Sequence, residues 1–231
     1  MKLARLLLLP MIAAGLFACA TQPTLQTGPD AEITFDGLTR LDSTIMDAVW
    51  IREDLDLSQY SKIVLLGAGI QYRPVSGPES GSTRNRMSTS TDSEFPLSDE
   101  AKERFREVVG QAFRDELAKS DSYEIVERPG RDVLAVTGGL FDVVSNVPPQ
   151  AAGRGDIYLS RVGEATLVLE LRDSMSGAIL ARAVDRRAAE PTTAMRMSTV
   201  TNWSEARRLA NRWAILLRNG LESLMATSPS S

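Results

Sequence analysis

Histidine is absent from this 231-residue chain, and cysteine occurs once, at Cys19. Without histidine there is no Ser–His or Cys–His nucleophile pair and no histidine metal site. A single thiol closes no disulfide within the chain, and a domain of this length can build its core without one. Aromatic residues make up only 6 %, and 26 basic against 30 acidic side chains give a formal charge of −4. A mildly acidic chain with no basic run is not expected to bind nucleic acid. Long apolar runs are missing too. The longest, Leu6 to Phe17, is about a dozen residues, whereas a helix crossing the hydrocarbon needs roughly 20.

That short run is nonetheless informative. Lys2 and Arg5 precede it, and the small residues Ala18, Cys19 and Ala20 follow, the order of a secretory signal peptide. Leu16-Phe17-Ala18-Cys19 resembles the lipobox of bacterial lipoproteins, in which the cysteine sulfur takes a diacylglycerol and the peptide is cut just before it. A thiol suits this because its thiolate is the nucleophile. Ordinary cleavage after Ala20 is the alternative, since Ala18-Cys19-Ala20 also fits a small-x-small site. The resemblance implies a signal peptide over residues 1–18, a lipidated and flexible tether over 19–32, and membrane attachment through Cys19. Loss of Lys2 and Arg5 would leave 24 basic against 30 acidic groups, a charge of −6, so acyl chains and not surface charge would hold the protein to the membrane. Ala20 stands where aspartate would mark inner-membrane retention in that family. The implied address is therefore the outer membrane, facing the periplasm.

Residues 33–231 read as one domain. "DAVWIR" (Asp47 to Arg52) is rich in β-formers, and "KIVLLGAGI" (Lys62 to Ile70) is a nearly continuous apolar run, the pattern of a strand covered on both faces. Ser98 followed by Asp99 and Glu100 marks a helix start. Phe105, Val108, Val109, Ala112, Phe113 and Leu117 continue it at helical spacing. Strands follow at "YEIVE" from Tyr123, "DVLAVTGGLFDVV" from Asp132 and "ATLVLELRD" from Ala165. "DSMSG" (Asp173 to Gly177) joins the last of these to "AILARAVD", a predicted hairpin. A closing helix is predicted from about Trp203 to Ala226, with Asn202 and Glu205 as cap residues and Leu209, Trp213, Leu217, Leu221 and Leu224 as its apolar stripe. The expected class is α+β: a mixed or antiparallel sheet of about five to six strands with two long helices packed on it.

"LSQYSKIVL", "ELRDSMSGAILARAVDRR" and "NWSEARRLANRWAILLRNGL" resemble the bacterial lipoprotein family catalogued as domain of unknown function 3313, from about Val49 to Leu224. The resemblance implies a fold and an address, and brings no catalytic residues.

The remaining motifs are weak. "GAGIQY" (Gly67 to Tyr72) begins like a dinucleotide loop, but Tyr72 replaces the third glycine and the motif lies in a strand. "GPESG" (Gly77 to Gly81) has its serine one place late for a nucleophile elbow. Asp99 with Glu100, and Glu103 with Glu107, read as a solvated helix face, as do Arg207, Arg208, Arg212 and Arg218. Trp203 and Trp213 read as core. No catalytic, cofactor or metal site is expected. The Ser/Thr/Gly-rich loop 73–97 is either disordered or a partner-binding element. Asn146 to Gly163, with Pro148 and Pro149 and a chance Arg154-Gly155-Asp156, is either a second binding lip or a plain crossover between two strands. The expected function is a non-enzymatic module that binds another protein of the cell envelope. A cell-wall or small-ligand binder, or a hydrolase of unrecognised chemistry, are the alternatives.

Overall fold

Ten strands and two helices lie in the residues that the computed structural model describes, 22–75, 94–147, 158–191, 195–196 and 199–227. In chain order they are β1 (Thr24–Leu25), β2 (Thr39–Asp42), β3 (Ala48–Ile51), β4 (Lys62–Tyr72), α1 (Asp99–Leu117), β5 (Glu124–Val126) and β6 (Val133–Ser145). β7 (Tyr158–Leu159), β8 (Gly163–Asp173), β9 (Ile179–Ala189), β10 (Met195–Arg196) and α2 (Thr199–Thr227) complete the set. Eight strands form one sheet in the order β1-β2-β3-β9-β8-β6-β4-β5, while β7 and β10 pair separately. β4 runs parallel to β5 and β6, and the other neighbours in the sheet are antiparallel. The sheet is therefore mixed.

The strongest local signals form as expected. Leu167, Leu169 and Leu171 of β8 point to one face and are buried, while Val168 and Glu170 between them are only partly covered. Asp173 organises the β8–β9 turn by accepting from Ser176 N at 2.7 Å and Met175 N at 3.2 Å, and Gly177 takes the positive φ of 73° that ends it. The Ser176 hydrogen bonds hold the Asp173 carboxyl below its ordinary value. Tyr60 donates to the other Asp173 oxygen at 2.9 Å. Burial, with that carboxylate beside it, pushes the phenol up to about 12. At α1, Ser98 accepts from Ala101 N at 3.2 Å, a cap contributing about 1 kcal/mol.

Both helices cover one face of the sheet. Leu134, Val136, Leu167 and Leu169 meet Leu117, Leu209, Trp213, Leu217 and Leu221 in a single core. α1 and α2 pack mainly on each other, and α2 also rests on β9. The opposite face has a small apolar cluster of Val64, Val133, Ala135 and Val126.

Four expectations change. The main sheet has eight strands, not five to six, because the polar segments around Thr24 and Thr39 gain their order from pairing at an edge and carry no apolar period. For the same reason the tether does not extend to residue 32. Thr24 and Leu25 pair with Asp42 and Leu41, and Glu32 N donates to Gln26 Oε1 at 2.9 Å. β4 is covered on both faces only at Ile63 and Val64, and Leu66 to Gly69 are exposed. Its partner β5 ends opposite Val64, so beyond that point β4 has no described strand on its outer side. Finally, α2 begins at Thr199, so Asn202 lies inside it. The stretch from Ser198 to Asn202 offers several cap-forming residues, and sequence alone does not choose among them.

Candidate functional site

Gly67 on β4 lies beside Gly138 on β6 in the parallel register. Two adjacent strands therefore lack side chains at the same level of the helix-facing surface. A Cβ at Gly67 would meet nothing within 4 Å. The result is a cleft of about 440 Å³ between α1 and the sheet. Val136, Leu167 and Leu169 form its floor, Leu217 of α2 closes its far end, and Val109 and Phe113 of α1 form the facing wall.

Arg106, Gly110 and Arg114 line the same cleft from α1 at i, i+4 and i+8, one line along the helix. Glycine inside a helix costs about 1 kcal/mol against alanine. Here it leaves room, since a Cβ at Gly110 would sit 3.3 Å from Arg114 Nη1. Arg106 is ion-paired with Glu103. Arg114 donates to the neutral Gln111 Oε1 at 3.2 Å, and among the described residues it has no carboxylate partner. The lining thus combines a deep apolar interior with one guanidinium that is not neutralised. Among the described residues it carries no carboxylate, hydroxyl or thiol.

The far face of the sheet holds a second charged group. Arg73 donates to Asp142 Oδ1 at 2.7 Å and Oδ2 at 2.5 Å, and to Glu164 at 2.7 Å. Arg186 reaches the same Glu164 oxygen at 2.6 Å, and Glu94 also pairs with Arg73. Asp142 occupies the left-handed region, φ 55°, at the bulge where β6 loses register with β8. Hydrogen bonds from Arg73 hold the Asp142 carboxyl below its usual value. Burial alone would raise Glu164, but Arg73 and Arg186 outweigh it and leave that group lowered too. Every charge here has a partner, so the cluster closes the neck of the 73–97 loop and presents no free ligand group.

Lowered carboxyls stabilise the fold above their ordinary values, 3.8 for Asp142 and 4.5 for Glu164. That stability is lost as pH falls through the depressed folded values. The melting temperature should therefore hold from pH 7 to about pH 5 and fall below about pH 4. An Arg73→Gln variant should melt lower at pH 7 and lose less on acidification. Parallel acid profiles for the two proteins would show that the cluster adds nothing.

A third polar group is structural. Asp185 of β9 is 1 % exposed and accepts from Trp213 Nε1 at 2.7 Å, from Asp47 N at 3.2 Å and from Arg187.

The sequence candidates fall as follows. Cys19, Gly77 to Gly81 and Arg154 to Asp156 lie outside the described residues, as do 76–93 of the first loop and 148–157 of the second. The ends of the first loop are fixed side by side on β6, through Arg73 N to Val143 O at 2.9 Å and Phe95 N to Ser145 O at 2.8 Å. Gly67 to Tyr72 lie in a strand and not in a phosphate-binding turn. Asp99 and Glu107 pair with Lys102 and Arg104 on the solvated side of α1, and Glu103 pairs with Arg106 beside the cleft. Trp213 is buried and Trp203 partly so, while Arg207, Arg208 and Arg212 are exposed. Arg218 differs from expectation: it bridges the helices through Glu116 of α1 at 3.0 Å and also pairs within α2 with Glu222 at 3.0 Å. Arg114 and the Gly67/Gly138 pair were not singled out in the sequence, and only strand register reveals them.

A family model described as "Protein of unknown function (DUF3313)" matches residues 34–217. The chain belongs to that family. No curated protein matches this DUF3313 chain. It is similar to the PelC dodecamer from Paraburkholderia phytofirmans, at 11 % identity over 73 % of this chain and 96 % of that one, with a TM-score of 0.33. A putative neuraminyllactose-binding hemagglutinin homolog from Helicobacter pylori gives 9 % identity over 74 % and 90 %, TM-score 0.35. Protein XCC0632 from Xanthomonas campestris, of family DUF330, gives 14 % over 71 % and 89 %, TM-score 0.32. At these values the neighbours carry nothing about function. No described helix of the DUF3313 chain is long and apolar enough to cross a membrane.

Proposed function

We propose that this protein is a non-enzymatic binding module of the bacterial cell envelope, attached through acylated Cys19 to the outer membrane and facing the periplasm. The observation that carries the binding reading is the cleft between α1 and the sheet. Its described lining is largely apolar, and its volume of about 440 Å³ lies within the ~300–1,000 Å³ of small-ligand sites. Such a lining suits the holding of an occupant, which supports the binding reading. The cleft also favours a ligand with an apolar body over a flat protein surface as the occupant.

The anchoring half of the proposal rests on the Leu16 to Cys19 motif. Cells fed labelled palmitate should yield labelled wild-type protein that fractionates with the outer membrane. A Cys19→Ala variant should carry no label and appear in the soluble fraction. An unlabelled, freely soluble wild type would overturn the anchor and leave cleavage after Ala20.

A further inference from the structure

We infer that the cleft takes a single-chain anionic amphiphile, with its apolar tail between α1 and the sheet and its acid head on Arg114. This rests on the binding reading above but not on the anchor, so the two fail separately.

Depth is the first ground. The lining runs from β4 across β6 to Leu167 and Leu169 of β8 and on to Leu217 of α2. An extended peptide added to the β4 edge would stay at the mouth and leave that depth empty. The edge itself is also a poor template. Register slips between Gly67 and Gly69, Gly69 has φ 98°, and a bulge of this kind interrupts the ladder that a docking strand needs. A flexible hydrocarbon chain has no such requirement and gains from every methylene taken out of water.

Charge is the second ground. Of the two guanidiniums on the lining, Arg106 is held by Glu103, whereas among the described residues Arg114 has only the neutral Gln111 amide as a side-chain partner. Gly110 clears the space in which Arg114 lies along the helix. An uncompensated guanidinium beside an apolar cleft selects a carboxylate or phosphate head over a neutral one.

The test uses the chain from Ala20 onward, which retains every described strand and helix, and dansylaminoundecanoic acid as a fluorescent probe. Unbranched fatty acids from octanoate to hexadecanoate should displace it, with affinity rising about fourfold per added methylene until the cleft is full. Gly67→Leu places a side chain in the empty space and should weaken binding at least tenfold at an unchanged melting temperature. If that variant melts early, Val109→Trp from the opposite wall gives the same readout. Arg114→Gln should weaken fatty acids about tenfold and leave the matching fatty alcohols unchanged. Binding indifferent to chain length, or unaffected by both cleft-filling variants, overturns the proposal. Equal loss of acid and alcohol in Arg114→Gln overturns the assignment of the head. Displacement by an apolar peptide and not by fatty acids also overturns it, and gives the cleft to a protein partner.

Discussion

Trp213→Ala should lower the free energy of unfolding by about 3–5 kcal/mol, a large share of the ~5–15 kcal/mol typical of a domain. The ring is 1 % exposed in the core shared by α2 and the sheet, so its removal leaves a cavity where α2 meets β9. Its Nε1 also donates to Asp185 at 2.7 Å, and that carboxylate is buried. The loss is thus partly apolar and partly the cost of a charged acceptor deprived of a donor, about 1–3 kcal/mol by itself. Trp213→Phe separates the two: it keeps much of the ring and removes the donor, and should cost an intermediate amount. Urea unfolding followed by circular dichroism measures both variants. An alanine variant that melts within a degree or two of the parent would show that the α2–β9 junction is not packed as described.

Gly163→Ala is the other large effect, and it arises from backbone crowding. A Cβ at Gly163 would stand 2.4 Å from the carbonyl oxygen of Val144, closer than any real contact. Nor can the strand move aside freely, since Gly163 is paired with Ser145 on β6 and with Ala189 on β9. The added methyl must push two ladders apart, for about 3 kcal/mol. The same unfolding measurement tests this, and a loss below about 0.5 kcal/mol, the range of neutral surface changes, would refute the close approach.

What could be read from the chain beforehand, and what could not, follows from how local each signal is. Ser98 before Asp99 and Glu100, the alternating leucines of β8, and the Asp173 to Gly177 turn all act within a few residues, and each formed where expected. β1 and β2 did not announce themselves, because "TL" and "TRLD" become strands by lying against β3 and each other. The apolar run at Lys62 gave the right strand and the wrong burial, since cover depends on how far β5 and α1 extend beside it. Asp185 and Trp213 meet only through the placing of α2 on β9. The cleft was the least legible feature. Gly67 resembles a weak loop motif, Gly138 an ordinary strand interruption and Gly110 a blemish in a helix. They acquire a joint meaning only when β4 and β6 run parallel in one register beneath α1.

The order of the strands also sets a distance. β1 and β4 stand six places apart in the sheet, about 29 Å at ~4.8 Å per strand. Only Ala20 to Pro23 separate Cys19 from Thr24, the first paired residue, a reach of at most ~18 Å. With Cys19 acylated, the molecule is moored by one margin of the sheet, beside the Ser43–Met46 turn where Ile45 is 76 % exposed. The opposite margin carries the mouth of the cleft. With that mooring, the full width of the sheet lies between the point of attachment and the opening.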